Sequence, residues 1–518
     1  MAYRVNHYNK KTGTTYVYEA VSYWDKEKKR PANKQICIGK LDKVTGDFIP
    51  SKRLDNKQAA VRDPSVTAGV EIIGPSIILD KLAKELGIDK ILKKIAPDTY
   101  LQIFTMAYFL VAKGDALSHC EQWSKGHANP FSNILTSQRI SELLKKQTED
   151  ERQTFFTKWC EKVSDNDYLC YDITSVSSYS ELNEYVKYGY NRDGEKLPQI
   201  NLGMLFGQKS GLPVCYKRMP GSITDVSTLK NFIKTLDYLN LSRLNMVMDK
   251  GFYSKTNIDE LLEYNHKFTI GVPIQRQWVE SIIDAFYDEI QMPDNYQKID
   301  GETLYMKTKL YPWGQSRKRT YVHVYYNSHV SAIAFDKFTE ELLIYKEELE
   351  SGQLVKNHDE YYQRYFIIKE TPKRGRKVKY NNEAIQRHRN RYAGFFVLLS
   401  NATKDALEAL QVYRNKDIVE NSFDDLKNQI DMKRLRVHKS FSMDSRLFVQ
   451  FLALIFISAL REKIRCKKEL EKYTVRELLE EMDTLTKITY SGRYGSIISE
   501  ITKKQRIIME ALSIELQV

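Results

Sequence analysis

Three carboxylates stand in contexts where they could bind a metal ion. Asp172 interrupts an apolar run, LCYDITSV, in which an unpaired charge is costly to bury. Asp249 ends a second apolar run, VMDKG, just ahead of a glycine that lets the backbone turn away. Glu420 lies in the stretch QVYRNKDIVENSFDDLKNQIDMKRLR, residues 411–436. Read at ~100° per residue, Val412, Val419, Phe423, Leu426 and Ile430 form one apolar stripe. Tyr413, Lys416, Glu420 and Lys427 form a second, polar stripe along its edge. An acid between two bases at the rim of a buried face could hold a metal ion beside a phosphate. From the helix alone, a Lys416–Glu420 salt-bridge ladder, worth a few tenths of a kcal/mol, is the favoured reading. A turn-forming Asp-x-Gly explains Asp249 alone equally well.

Taken together, two aspartates on buried strands and a glutamate on a helix could bind two Mg²⁺ ions ~3.5–4 Å apart and drive in-line displacement at a phosphodiester, with no covalent protein nucleophile. Magnesium takes oxygen ligands, which suits Asp and Glu. The six cysteines are scattered without a CxxC pair, so neither a zinc site nor a disulfide framework is expected. Eighty basic against 67 acidic side chains give a net charge of +13, which favours nucleic acid over a membrane surface as partner. The basic, polar N-terminus carries no secretory pattern. The apolar stretch Phe448–Leu460 is shorter than the ~20 residues of a bilayer span and reads as a buried helix. A soluble protein of the reducing cytoplasm is expected.

At 518 residues the chain is too long for one core. Residues 1–55 read as a small β-rich unit, with strands at Thr14–Trp24 and Lys34–Leu41. Lys26, Lys28, Lys29 and Arg30, together with Tyr16, Tyr18, Tyr23 and Trp24, would make either a nucleic-acid surface or a solvated hairpin tip. Residues 65–163 read as a helical domain, with Gly87 and Gly114 at helix ends. From Tyr168 the pattern turns to strands: Tyr168–Val176, a hairpin of Gln199–Phe206 and Leu212–Arg218, a helix, then strand–helix–strand up to Pro273. That order is the one expected of a ribonuclease-H-like core. The expected architecture is multidomain, α+β or α/β. The core would span 164–274 and 391–465, interrupted by a β-rich insertion at 275–390 and followed by C-terminal helices over 466–518.

These residues resemble the insertion-sequence transposases of the DDE superfamily, in the branch with a Tyr-Arg-Glu-Lys signature. That signature, Y-x2-R-x3-E-x6-K, reads here Tyr413-x2-Lys416-x3-Glu420-x6-Lys427: every spacing matches, with Lys416 in place of Arg. Lysine keeps the charge and loses the bidentate fork. The contexts YDITSV, MDKGFYS, GSITD and YAGFFVLLSN are similar to the family pattern as well. The resemblance implies a Mg²⁺- or Mn²⁺-dependent enzyme that cleaves and joins DNA strands at the ends of its own element and acts on target DNA as a homodimer. It implies Asp172, Asp249 and Glu420 as metal ligands, the signature spacing selecting Glu420 over Asp424 and Asp425. Tyr413, Lys416 and Lys427 would contact phosphates. Trp278 or Trp313 would stack on a flipped base or belong to the core. Arg374, Arg376 and Lys377 would track a DNA backbone or sit in a solvated loop. A nuclease without strand transfer and a catalytically silent DNA-binding regulator are the competing readings.

Overall fold

The computed structural model describes residues 2–25, 30–51, 67–163, 168–180, 183–239, 241, 243–299, 301–371, 375–389, 392–430, 432, 434–435, 440–491 and 495–516. They group into two units, residues 1–69 with 488–497 and residues 70–487 with 498–518. In the first, alternating β-branched and aromatic residues make four antiparallel strands in sequential order: β1 (Ala2–Asn9), β2 (Thr14–Asp25), β3 (Arg30–Leu41) and β4 (Phe48–Pro50). Strand β1 joins the two that the sequence suggests. Tyr23 and Trp24 are more than half exposed, while Lys26, Lys28 and Lys29 lie outside the described residues.

After strand β5 (Ala68–Ile72), the second unit opens with helices α1 (Gly74–Leu86), α2 (Ile88–Ile95), α3 (Tyr100–Lys113), α4 (Cys120–Gly126), α5 (Ser137–Lys146) and α6 (Glu149–Val163). Gly87 and Gly114 close α1 and α3 in the left-handed conformation, at φ 66° and 60°, which glycine adopts without a Cβ penalty. Helix α3 has no broad polar face. It is buried almost all the way round, as its near-continuous apolar run LQIFTMAYFLV requires.

A large mixed sheet follows. Strands β6 (Tyr168–Ser178), β7 (Gln199–Gly207) and β8 (Pro213–Pro220) form an antiparallel meander. Helix α7 (Asp225–Tyr238) leads to β9 (Asn245–Met248), and α8 (Lys255–Glu263) leads to β10 (Lys267–Val272). Strands β9 and β10 run parallel to β6 on its other side, so the spatial order is β8-β7-β6-β9-β10. Every residue of β7 is buried, as expected of a strand covered on both faces.

Residues 275–390 are not mainly β. They comprise α9 (Gln277–Phe286), β11 (Tyr296–Ile299), β12 (Glu302–Trp313), β13 (Lys318–Tyr326), α10 (Ser328–Ser351), α11 (Asp359–Tyr365), β14 (Phe366–Thr371), β15 (Gly375–Tyr380) and α12 (Asn382–Arg389). The stretch YYQRYFII, strand-prone by composition, is helical up to Tyr365. The reason is its spacing: Tyr362 and Tyr365 fall on one helix face and bury against Phe338, Tyr345 and Phe366 in a separate small core. Strands β11–β13 extend the large sheet through β16 (Phe395–Ser400), which pairs with β13 on one side and β10 on the other.

The stretch expected as one helix over 411–436 is two. Helix α13 (Ala406–Arg414) ends and α14 (Asp417–Asn428) begins around Asn415 and Lys416. There ψ rises to −2° and −19°, and the Lys416 N–H bonds to the Tyr413 carbonyl in a 3₁₀ turn. Asparagine competes poorly for helix interiors, and the chain turns there. Beyond α14, Arg434–Leu435 form β17, which pairs parallel with β6. Helix α15 (Ser440–Cys466) is longer than its sequence pattern suggests. Its Ser442–Cys466 stretch is long and apolar enough to cross a membrane, yet its apolar window is 94% buried inside the protein. Helices α16 (Val475–Met482) and α17 (Lys503–Ala511) follow, with strand segments Thr486–Tyr490 and Ser496–Ile498 between them.

Candidate active site

Parallel pairing sets the site. The register of β6 on β9 runs Tyr168↔Asn245 to Tyr171↔Met248, so Asp172 and Asp249 are the next rung. Asp249 keeps extended backbone, φ −73° and ψ 163°. Strand periodicity puts Asp172 on the face of Cys170, and Asp249 on the face of Val247, the partner of Cys170. The two carboxylates therefore leave one face of the sheet side by side, from strands ~4.8 Å apart. Helices α13 and α14 cover that face. Gln208 Nε2 bonds both Cys170 Sγ, at 3.0 Å, and the Val412 carbonyl, at 2.6 Å.

The surroundings of the two aspartates differ. Asp172 accepts a 2.8 Å bond from the Ile173 N–H. Burial pushes its carboxyl up to about 6, against the pull of that bond and of Arg192 and Lys416, and the charge of Asp249 adds to the rise. Burial also acts to raise Asp249, but there it is outweighed. The Tyr413 hydroxyl donates to Asp249 Oδ1 at 2.6 Å, Lys416 Nζ lies 3.7 Å from the same oxygen, and the net effect holds Asp249 below the usual carboxylate range.

The tyrosine contact depends on a glycine. On β10, Gly271 lies level with Asp249, one residue past the Ile270↔Met248 pair. A Cβ there would come within 2.8 Å of the Tyr413 hydroxyl and 3.0 Å of the Lys250 nitrogen.

The other members of the signature divide between neighbours. Lys427, only 10% exposed, binds both oxygens of Asp193, at 2.6 and 2.7 Å. Residue 420 lies one helical turn beyond Lys416 on α14, which packs on β6 and β7; its side chain lies outside the described residues. Of its rivals, Asp424 is exposed. Asp425 is buried in an ion pair with Arg461 and accepts from Gln429 at 2.6 Å. It is thereby committed to holding α14 on α15.

The loop between β6 and β7, outside the sequence signature, also reaches the site. It supplies Asp193 and Arg192, whose guanidinium bonds Asp225 Oδ1 at 2.6 Å and draws down Asp172. The signal in NRDGEK is an Asx turn, with Asn191 Oδ1 accepting from the N–H of Asp193 and of Glu195. That motif marks a turn and says nothing of its partners.

Trp278 and Trp313 come together, with ring centroids 6.0 Å apart. They line a groove of about 640 Å³ with Tyr253, Arg276 and Tyr311. Trp313 is buried and donates to Asp259 Oδ1 at 2.7 Å, whereas Trp278 is partly exposed, 4.9 Å from the Tyr311 ring. Arg376 and Lys377 lie on the β14–β15 ribbon, apart from the aspartate rung in sequence and sheet. Arg376 donates to the Leu349 carbonyl at 3.3 Å, and Lys377 is exposed directly across from Lys369. Arg374 lies outside the described residues.

Among the described side chains, no three His, Cys, Asp or Glu groups assemble into a metal cluster. The aspartate rung supplies two hard oxygen donors whose charges oppose each other. That pairing suits a divalent cation such as Mg²⁺.

A search of curated proteins finds no match. Among solved structures, the chain is similar to a protein described as "Cryo-EM structure of piggyBac transposase synaptic complex with hairpin DNA", at 9% identity and a TM-score of 0.35, over 78% of this chain and 70% of that one. The transposase DDE domain family matches residues 164–456, which include both aspartates and the whole of α13 and α14. The chain belongs to that family, the DDE transposases.

Proposed function

We propose that this transposase cuts DNA at the ends of its own insertion sequence and joins the freed strands to target DNA, using Asp172, Asp249 and Glu420. The observation that carries the reading is the shared rung of Asp172 and Asp249 beneath the helix that bears residue 420. The strand order, three antiparallel strands flanked by two parallel to the first, supports a ribonuclease-H-like core over 164–274 and 391–465. Residues 275–390 would interrupt it, and residues 1–55 and 65–163 would be the candidates for reading the element ends.

Two Mg²⁺ ions, or Mn²⁺, when bound supply Lewis-acid stabilisation of the attacking and leaving oxygens. The protein's own groups do the rest. Asp172 and Asp249 hold the ions with Glu420, and Tyr413 and Lys416 keep Asp249 ionised and fixed in direction. Lys416 and Lys427 offer positive charge to the phosphates beside the scissile bond, Lys427 exchanging Asp193 for DNA. Trp278, whose ring is partly exposed at the groove beside Tyr253, is the better placed of the two tryptophans to stack on an unpaired base. Arg376 and Lys377 would contact the DNA backbone. Two element ends must meet in one complex, which calls for a homodimer, working on the nucleoid in a prokaryotic cytoplasm.

The test is to incubate the protein with labelled element-end DNA, Mg²⁺ and a target plasmid. Joined products are expected. Cleavage without joining would make the protein a nuclease, and binding with neither product would make it a silent regulator.

A further inference from the structure

A cavity of about 670 Å³ lies away from the aspartate rung. It wraps the edge strand β8, two strands or ~10 Å across the sheet from β6. Six charged side chains line it: Arg152, Lys217, Arg218 and Lys234 against Glu149 and Asp444. The excess is positive and unevenly placed. Both carboxylates are already paired, Glu149 with Arg152 and Asp444 with Arg218, the latter through bonds of 2.6 and 3.0 Å.

Among the described residues, the opposite wall carries no acid. There Lys217 reaches across from β8 to helix α7, donating to the Asn231 carbonyl at 3.1 Å and to Thr235. Neither Lys217 nor Lys234 has an ion-pair partner among the described residues. Burial lowers the Lys217 ammonium's pKa, and the nearby charge of Lys234 lowers it further. A half-buried lysine held beside a second lysine is costly unless an anion joins them. Arg218 is held rigid on its own side, with its guanidinium 3.5 Å from the centroid of the Tyr185 ring and Nη1 buried without a hydrogen-bond partner.

We propose that this cavity binds a phosphate group on the α7 side of β8, with Lys217 and Lys234 as the charged wall, Arg218 being turned to the other face of the strand and held there by Asp444. The phosphate belongs to a DNA backbone or is free in solution. The site stands apart from the aspartate rung and does not rest on the catalytic reading.

The test uses the full-length protein and Lys234→Gln, a change at an exposed helix position, with the exposed Lys503→Gln as a charge-matched control. Binding of a fluorescent DNA duplex of random sequence is followed against salt, and binding of inorganic phosphate is followed by calorimetry. If the site holds a DNA phosphate, Lys234→Gln weakens duplex binding uniformly across sequences. It also reduces the slope of log K against log salt by about 1 relative to Lys503→Gln. If it holds free phosphate, the variant loses phosphate binding and keeps the duplex curve. Lys217→Met should reproduce whichever loss is seen. Duplex and phosphate binding both equal to the Lys503→Gln control would overturn the proposal, with folding of each variant verified by its thermal melt.

Discussion

The hydroxyl of Tyr413 donates to Asp249 Oδ1 at 2.6 Å, tying the end of α13 to the rung that follows a buried strand. A residue that the signature would place on DNA phosphate is here a partner of a carboxylate. Tyr413→Phe keeps the packing and removes the donor. Because Tyr413 helps hold Asp249 below its ordinary range, the variant should show a pH–rate profile whose acid limb moves upward. Activity at neutral pH should fall by roughly tenfold, the scale of one hydrogen bond to a charged group. An unchanged profile would mean that the bond has no part in catalysis.

Gly271 makes room for that bond. Gly271→Ala should displace the Tyr413 hydroxyl and reproduce the Tyr413→Phe phenotype. In a double-mutant cycle the two losses should not add, since both remove one interaction. Additive losses would show that Gly271 acts elsewhere.

Asp172 gives a stability test that needs no DNA. Its carboxyl is raised from 3.8 to about 6, chiefly by burial. A carboxyl with a folded pKa above its unfolded one takes up a proton on folding, so the metal-free protein loses stability as pH rises from about 4 to about 6 and keeps that deficit above it. Asp172→Asn removes the deficit. The variant should be more stable than the parent at neutral pH by on the order of 3 kcal/mol, should match it near pH 4, and should be inactive. Urea melts at both pH values check this. A variant less stable than the parent at neutral pH would contradict it.

Asp193 occupies Lys427 through both carboxylate oxygens. If DNA phosphate replaces that carboxylate, Asp193→Asn should tighten binding to element-end DNA several-fold and steepen its salt dependence by about one contact. Weaker binding would show that Asp193 orients Lys427 for DNA instead of shielding it.

What the sequence made legible was local. The strands around Asp172 and Asp249, the helix ends at Gly87 and Gly114, and the apolar stripe on 411–436 each follow from periodicity and turn chemistry within a dozen residues. What stayed hidden depends on register or on distant partners. Nothing near Gly271 in the chain says that Tyr413 will lie against it, and nothing near Lys427 points to Asp193, 234 residues away. The break at Asn415 is not legible in the sequence because the apolar stripe continues past it: Val412, Phe423 and Leu426 are all buried although two helices carry them. In the helical YYQRY segment, aromatic content points to strand while the spacing of three is helical.

The central claim is that residue 420 completes the acidic set begun by Asp172 and Asp249. The most direct measurement is cleavage of labelled element-end DNA in Mg²⁺ by Glu420→Gln, with end binding measured on the same samples and Asp424→Asn as the neighbouring control. Loss of cleavage by on the order of 10³-fold or more, with end binding kept and Asp424→Asn active, is the result predicted. Cleavage by Glu420→Gln at the parental rate would contradict the account.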